Sequence, residues 1–298
     1  MYANFNEVRD SISAQAQRTL VVAAAHDAHT LEAVYAAATE FPMKYILVGD
    51  REEILKISNV LGYATSADSI IDVKGAAECA AEAVGVIGRG GGDVLMKGFL
   101  ETGELLKAVL DKRSGIRDSS VMTHLAFLEI PTYHKLVTVT DGGMLTNPTL
   151  QQKADIVRLS VAFYQRLGFP GPKIAALCAS ESVSEKMPET VDAMELQKMC
   201  ETGELGFCRL EGPISFDLAI DPESAKAKGF SSGITGETDI FLVPNITAGN
   251  VLCKGLIYLA GAKMAGCVLG ASVPIVLVSR TATAQEKLYS IMLCLRAG

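Results

Sequence analysis

The chain has 298 residues with 27 Lys+Arg against 34 Asp+Glu, a net charge of −7. That balance argues against sequence-independent binding to a nucleic-acid backbone, which needs clustered cations, though a local basic pocket for one small anion stays open. Hydrophobic residues make up 49% and aromatics 6%, with no Trp, which argues against long disorder and suits buried parallel strands in about two domains.

In chain order, short apolar runs alternate with helix-length segments. Strands are predicted at residues 20–25, 45–49, 69–73 and 93–96, and helices at 30–41, 51–61, 76–87 and 102–112. This order implies βαβ units and a parallel sheet. Residues 121–130 and 135–140 read as an antiparallel pair across a short link, followed by a long helix over 150–167 that stops at Gly168. Further strands are predicted at 173–179, 216–220, 240–244 and 273–278, with helices at 191–202, 248–262 and 284–295. A composition shift near Arg117 marks the domain boundary. The expected fold class is therefore α/β, with two α/β domains and a cleft between them, one formed by 1–118 with 267–298 and the other by 119–266.

The apolar runs are broken within about 10 residues, where a membrane span needs about 20, so no membrane partner is expected. The polar N-terminus does not read as a signal peptide. Seven scattered cysteines without a Cys-x-x-Cys pair predict a reducing, cytoplasmic setting.

Several segments have the residue types for chemistry. The strand before Ser279-Arg280 runs into a helix, and a hydroxyl and a guanidinium beside a helix start make a seat for a phosphate. Glu286 falls in the first turn of that helix; the alternative is a helix cap with a solvated acid. Asn245, Gly249 and Asn250 lie in a second strand-to-helix loop, where the alternative is an ordinary capping loop with Thr247 as N-cap. Asp141 reads either as a functional carboxylate or as an Asx-type turn residue. Lys97 and Lys107 could each bind an anion or be solvated. Gly88-Arg89-Gly90-Gly91-Gly92 follows a helix and precedes a strand, the wrong order for a dinucleotide fingerprint, and reads as a helix end and turn. His26 and His29 lack a recognisable third ligand, so no metal site is expected. No Gly-x-Ser-x-Gly elbow or P-loop motif is present.

Ser279-Arg280 with Glu286, the run from Asn245 to Asn250, the run from Asp141 to Thr149, the run from Thr102 to Leu110, and Ser215-Phe216-Asp217 together resemble the phosphate acetyl/butyryltransferase family over nearly the whole chain. The butyryl branch is the closer, on Leu95-Met96-Lys97-Gly98, Thr102-Gly103 and the compact length. The resemblance implies a fold like that of isocitrate and isopropylmalate dehydrogenases and the reversible conversion of acyl-CoA and phosphate into acyl phosphate and CoA. It implies no permanently bound cofactor; coenzyme A and phosphate are substrates. Glu286 is implied as base toward the CoA thiol, Ser279 as donor to the oxyanion or phosphoryl group and Arg280 as phosphate anchor. Lys107 stands where the acetyl branch has a phosphate-binding arginine. Lys97, Asp141, Asn147, Asn245, Gly249 and Asn250 complete the expected substrate-binding set. The alternatives are a phosphate acetyltransferase, a catalytically silent acyl-CoA or acyl-phosphate sensor, and a decarboxylating dehydrogenase, for which clustered aspartates and a nicotinamide loop are wanting. The apolar helix at 248–262 and the hairpin suggest a homo-oligomer.

Overall fold

A computed structural model of the chain describes residues 1–12, 17–279 and 281–298. Its first elements are α1 (Phe5–Asp10), β1 (Arg18–Ala23), α2 (Ala28–Glu40), β2 (Met43–Gly49), α3 (Arg51–Val60), β3 (Ile70–Asp72), α4 (Ala76–Gly88), β4 (Val94–Lys97) and α5 (Thr102–Val109). The middle of the chain adds β5 (Thr123–Glu129), β6 (Val137–Thr140), α6 (Leu150–Leu167), β7 (Lys173–Leu177), α7 (Pro188–Glu201), β8 (Arg209–Ile214), α8 (Phe216–Ile220) and α9 (Pro222–Ala227). The last elements are β9 (Ile240–Leu242), α10 (Ile246–Ala260), β10 (Lys263–Leu269), β11 (Ile275–Val276) and α11 (Ala284–Ala297). The chain divides into two compact units, one of Asn6–Ser119 with Ala265–Gly298 and the other of Met1–Phe5 with Ser120–Met264.

In the first of these units the strands run β3-β2-β1-β4-β11 in parallel, and β11 pairs antiparallel with β10. Val22 sits opposite Leu47 on one side and Met96 on the other. Leu20, Val21, Val22, Leu95 and Met96 are all fully buried, the continuous apolar pattern of a parallel strand covered on both faces. Asp50 accepts from the Glu52 and Glu53 amides at 3.1 and 3.3 Å to start α3. After β4 the chain turns sharply against β1. The Gly98 amide donates to Ala23 O at 2.9 Å, and a Cβ at Gly98 would lie 2.3 Å from Ala24 O. No side chain fits there.

In the other unit β5 and β6 form the predicted antiparallel hairpin, with Phe127 opposite Thr138. Parallel strands follow in the order β6-β9-β7-β8. Leu128, Val137, Val139, Ala175, Ile214 and Phe241 build its core. α6 starts with the Thr149/Gln152 capping box and ends at Gly168 with φ +93°, where the left-handed conformation favours glycine.

One predicted strand is overturned. Residues 216–220 form the short helix α8, with Leu218 and Ala219 buried and Ser215 Oγ bonded to Asp217 at 2.6 Å. A five-residue segment with four apolar residues has too little length for periodicity to separate strand from helix. The strand in that region is β8, whose Gly212-Pro213 hides the signal; proline is tolerated there because β8 ends the sheet order.

Candidate active site

In the unit of Asn6–Ser119 with Ala265–Gly298, a cavity of about 310 Å³ opens between the ends of β1, β4 and β11. Lys97, the last residue of β4, and Ser279, just after β11, both line it. Lys97 is 8% exposed, and its Nζ donates to the carbonyls of Gly98 and Leu100 at 3.2 and 3.1 Å. Phe99 and Leu100 supply an apolar wall. Ser279 is exposed, with its Oγ 3.0 Å from Thr281 Oγ1, and its carbonyl accepts from the Ala282 amide at 3.1 Å. This turn leads into the N-terminus of α11, where backbone amides favour an anion.

Two further residues of this cavity escaped the sequence analysis. Asp27 caps α2 by accepting from the Thr30 amide and hydroxyl at 2.8 and 2.5 Å. Lys287, 7% exposed, reaches Asp27 Oδ2 at 2.8 Å and Thr30 Oγ1 at 3.0 Å. Burial pushes the Asp27 carboxyl up, but the hydrogen bonds from Lys287 and Thr30, with the Lys287 charge, outweigh it and hold the group below the usual carboxylate range. A capping aspartate three residues ahead of Thr30 was the available signal; nothing local in the sequence pointed to Lys287 as its partner.

Glu286 occupies the third position of α11 and closes a capping box with Thr283. Its Oε2 accepts from the Thr283 amide at 2.8 Å and the Thr283 hydroxyl at 3.1 Å, while its own amide donates to Thr283 Oγ1 at 3.2 Å. In this arrangement Glu286 is not among the residues lining the cavity. Lys107 is exposed on α5 and also lies outside the lining. Arg280 lies outside the described residues.

The unit of Met1–Phe5 with Ser120–Met264 holds the remaining expected residues. Asp141 is 2% exposed. Its carboxylate accepts from the amides of Gly143, Met144 and Leu145 at 2.9, 2.9 and 3.0 Å, and from the His124 amide at 3.4 Å. Burial raises its pKa, and these amides with His124 only partly offset that. Asp141 therefore shapes the loop that carries Asn147, which is exposed. Asn245, rather than Thr247, caps α10, its Oδ1 accepting from the Ala248 amide at 3.0 Å.

The two loops meet. The Ile246 amide donates to Thr146 O at 3.1 Å. A Cβ at Gly249 would lie 2.6 Å from the Gly142 Cα, so Gly249 allows close packing of α10 on the Asp141 loop. Asn250 is exposed one residue further along α10. The structure thus groups Lys97 with Ser279 in one unit, and Asp141, Asn245 and Gly249 in the other. Among the described residues, no group of three or more His, Cys, Asp or Glu is placed to hold a metal ion.

Comparison with known proteins defines the class to which this fold and these loops belong. The sequence matches the family described as phosphate acetyl/butaryl transferase over residues 76–295, and the chain belongs to that family. It is 36% identical to the phosphate butyryltransferase of Clostridium acetobutylicum over 98% of this chain and 97% of that one. It is 40% identical to the phosphate acetyltransferase of Thermotoga maritima over 93% of this chain and 94% of that one. Among solved structures, the branched-chain phosphotransacylase of Enterococcus faecalis V583 superposes with a TM-score of 0.83 at 30% identity, covering 94% of this chain and 99% of that chain.

Proposed function

We propose that this chain converts a short-chain acyl-CoA, butyryl-CoA in particular, and phosphate reversibly into acyl phosphate and CoA. The observation that carries the reading is the cavity lined by both Lys97 and Ser279, with Lys287 of α11 in the same wall. Family membership and two near-full-length relatives, one named for each acyl chain, support it.

In the direction of acyl phosphate, a phosphate oxygen attacks the thioester carbonyl. The Ser279 hydroxyl donates to the oxyanion of the tetrahedral intermediate or to a phosphoryl oxygen. The Arg280 guanidinium takes the phosphoryl group through its two-pronged fork, with Lys97 or Lys107 adding charge; of these two lysines Lys97 lines the cavity. The proton given up by the attacking phosphate reaches the sulfur through Glu286, so CoA leaves as the thiol and Glu286 ends as the carboxylate it began as. In reverse, the Glu286 carboxylate takes the thiol proton during attack, which is needed because a simple thiol, with a pKa of about 8.5, is little ionised near neutrality. For this the Glu286 side chain must swing out of its capping box with Thr283. Within its own unit Asp141 orders its loop, and Asn147, Asn245, Gly249 and Asn250 are kept as substrate-binding positions.

The same reading takes the two α/β units as an architecture akin to that of isocitrate and isopropylmalate dehydrogenases. It sets the chain in the cytoplasm, in keeping with seven free thiols. It also has the chain self-associate through α10, which leaves Val251, Tyr258 and Leu259 at 66%, 75% and 91% exposure.

The engagement of Glu286 in the helix cap favours one rival, a silent acyl-CoA sensor. The test mixes purified chain with butyryl-CoA, with and without phosphate, and follows released thiol above the protein's own. Phosphate-dependent release supports the transferase, and acetyl-CoA in parallel places the acyl preference. Release without phosphate would mean a thioesterase, and no release from a folded chain would favour the sensor.

A further inference from the structure

Two of the seven cysteines stand apart from the other five. Cys200 is in the last turn of α7 and Cys208 immediately precedes β8. Their sulfurs are 3.6 Å apart, and the Cys200 thiol faces Cys208 O at 3.3 Å. Both are half-buried, and both line a cavity of about 620 Å³ formed within the unit of Met1–Phe5 with Ser120–Met264. The intervening loop is held by the Gly203 amide on Cys200 O at 3.0 Å and the Glu204 amide on Met199 O at 2.9 Å. The two thiols are therefore presented to each other by fixed backbone. Cys267 and Cys294 also interact, but both are fully buried, where a dissolved oxidant has no access.

We infer that Cys200 and Cys208 form a reversible dithiol–disulfide site, oxidised by a small hydroperoxide entering the cavity. One thiol attacks the peroxide, the O–O bond breaks, and a sulfenic acid forms together with water from hydrogen peroxide, or an alcohol from an organic hydroperoxide. The other thiol then displaces the sulfenic oxygen. The S–S bond forms, and the displaced hydroxyl leaves as water with that thiol's proton. One peroxide is reduced by two electrons and the two sulfurs are oxidised by the same number. Burial, with the neighbouring Cys200, pushes the Cys208 thiol up to about 12, so at neutral pH Cys208 still carries the proton that departs in that water. A sulfur already in van der Waals contact outcompetes a second peroxide because its attack is intramolecular. The sulfurs need only close from contact distance to the bond length of about 2.05 Å. The site uses none of the residues given a role in acyl transfer, so it stands or falls separately from that reading.

The test treats the full chain with hydrogen peroxide near equimolar amounts, blocks residual thiols with iodoacetamide and maps the peptides. The expected product is a single link between Cys200 and Cys208, seen as the loss of both alkylation sites and of two hydrogen atoms in intact mass, and reversed by dithiothreitol. Cys200→Ser and Cys208→Ser each remove the link, whereas Cys178→Ser keeps it. Oxygen added to isolated cysteines without a link, a link involving Cys267 and Cys294 instead, or no change in the thiol count of the unmutated chain would each overturn the inference. The unmutated chain carries the decisive measurement, so a variant that fails to fold does not blunt it.

Discussion

Replacing Asp27 by Asn tests whether the cavity wall is held by charge. Asn keeps a side-chain oxygen for the Thr30 amide, so the cap survives while the partner of Lys287 becomes neutral. The Asp27 and Lys287 side chains are 23% and 9% exposed. An exposed pair contributes about 0–1 kcal/mol, and removing one partner of a fully buried pair costs about 3–5 kcal/mol. This geometry falls between them, so Asp27→Asn is expected to destabilise its unit by about 2–3 kcal/mol. Lys287→Met in the Asp27→Asn background should recover part of that loss, because it removes the stranded ammonium. The assay is urea unfolding with hydrogen exchange read on the amides of α2 and α11, run as a double-mutant cycle. The pH dependence supplies a second arm. The folded pKa of Asp27 lies below its unfolded value of about 3.9, so the stabilisation is present above that pH and lost as pH falls through the folded value. Asp27→Asn should flatten that acid limb. A loss under about 0.5 kcal/mol, or single-mutant effects that simply add, would refute the reasoning.

Glu286→Gln retains an acceptor for the Thr283 amide, so thermal stability should change little while turnover falls about 10²–10⁴-fold; full turnover would remove Glu286 from the base role. Arg280→Ala should raise the KM for phosphate far more than that for acyl-CoA, and equal effects on both would argue against a phosphate anchor. Gly249→Ala should destabilise by about 1–3 kcal/mol through overpacking on Gly142, reversing the gain of about 1 kcal/mol that helix propensity alone predicts. Asp141→Ala should strip the loop amides of Gly143, Met144 and Leu145 of their acceptor, speeding their exchange and costing about 1–3 kcal/mol.

What the sequence disclosed depended on how local the cause was. α6 was legible from end to end because its cap, periodicity and terminal glycine all lie within the segment. The hairpin was legible from two β-rich runs and a short link. β8 is obscured by Gly212 and by Pro213, which an edge strand tolerates, while the short mostly apolar segment beside it carries the stronger strand signal. In the candidate site, Ser279 and Lys97 were readable as residues at strand ends. The Lys287–Asp27 pair was not, because it joins positions 260 residues apart. The turn reading of Asp141 needed no distant partner; that its carboxylate is buried, with four amides pointing at it, required the fold.

β8 also bears on how the sheet avoids open-ended growth. An outermost strand exposes a row of donors and acceptors that a strand from another molecule could extend, the first step of fibril growth. Here the Gly212 amide is already spent on Gln197 Oε1 at 3.1 Å, and Pro213 has no amide to offer. Arg209 and Glu211 pair with each other at 2.7 Å at the start of the strand, adding charge where a flat apolar edge would be sticky. The residues that concealed the strand from sequence reading are the same ones that stop the sheet from propagating.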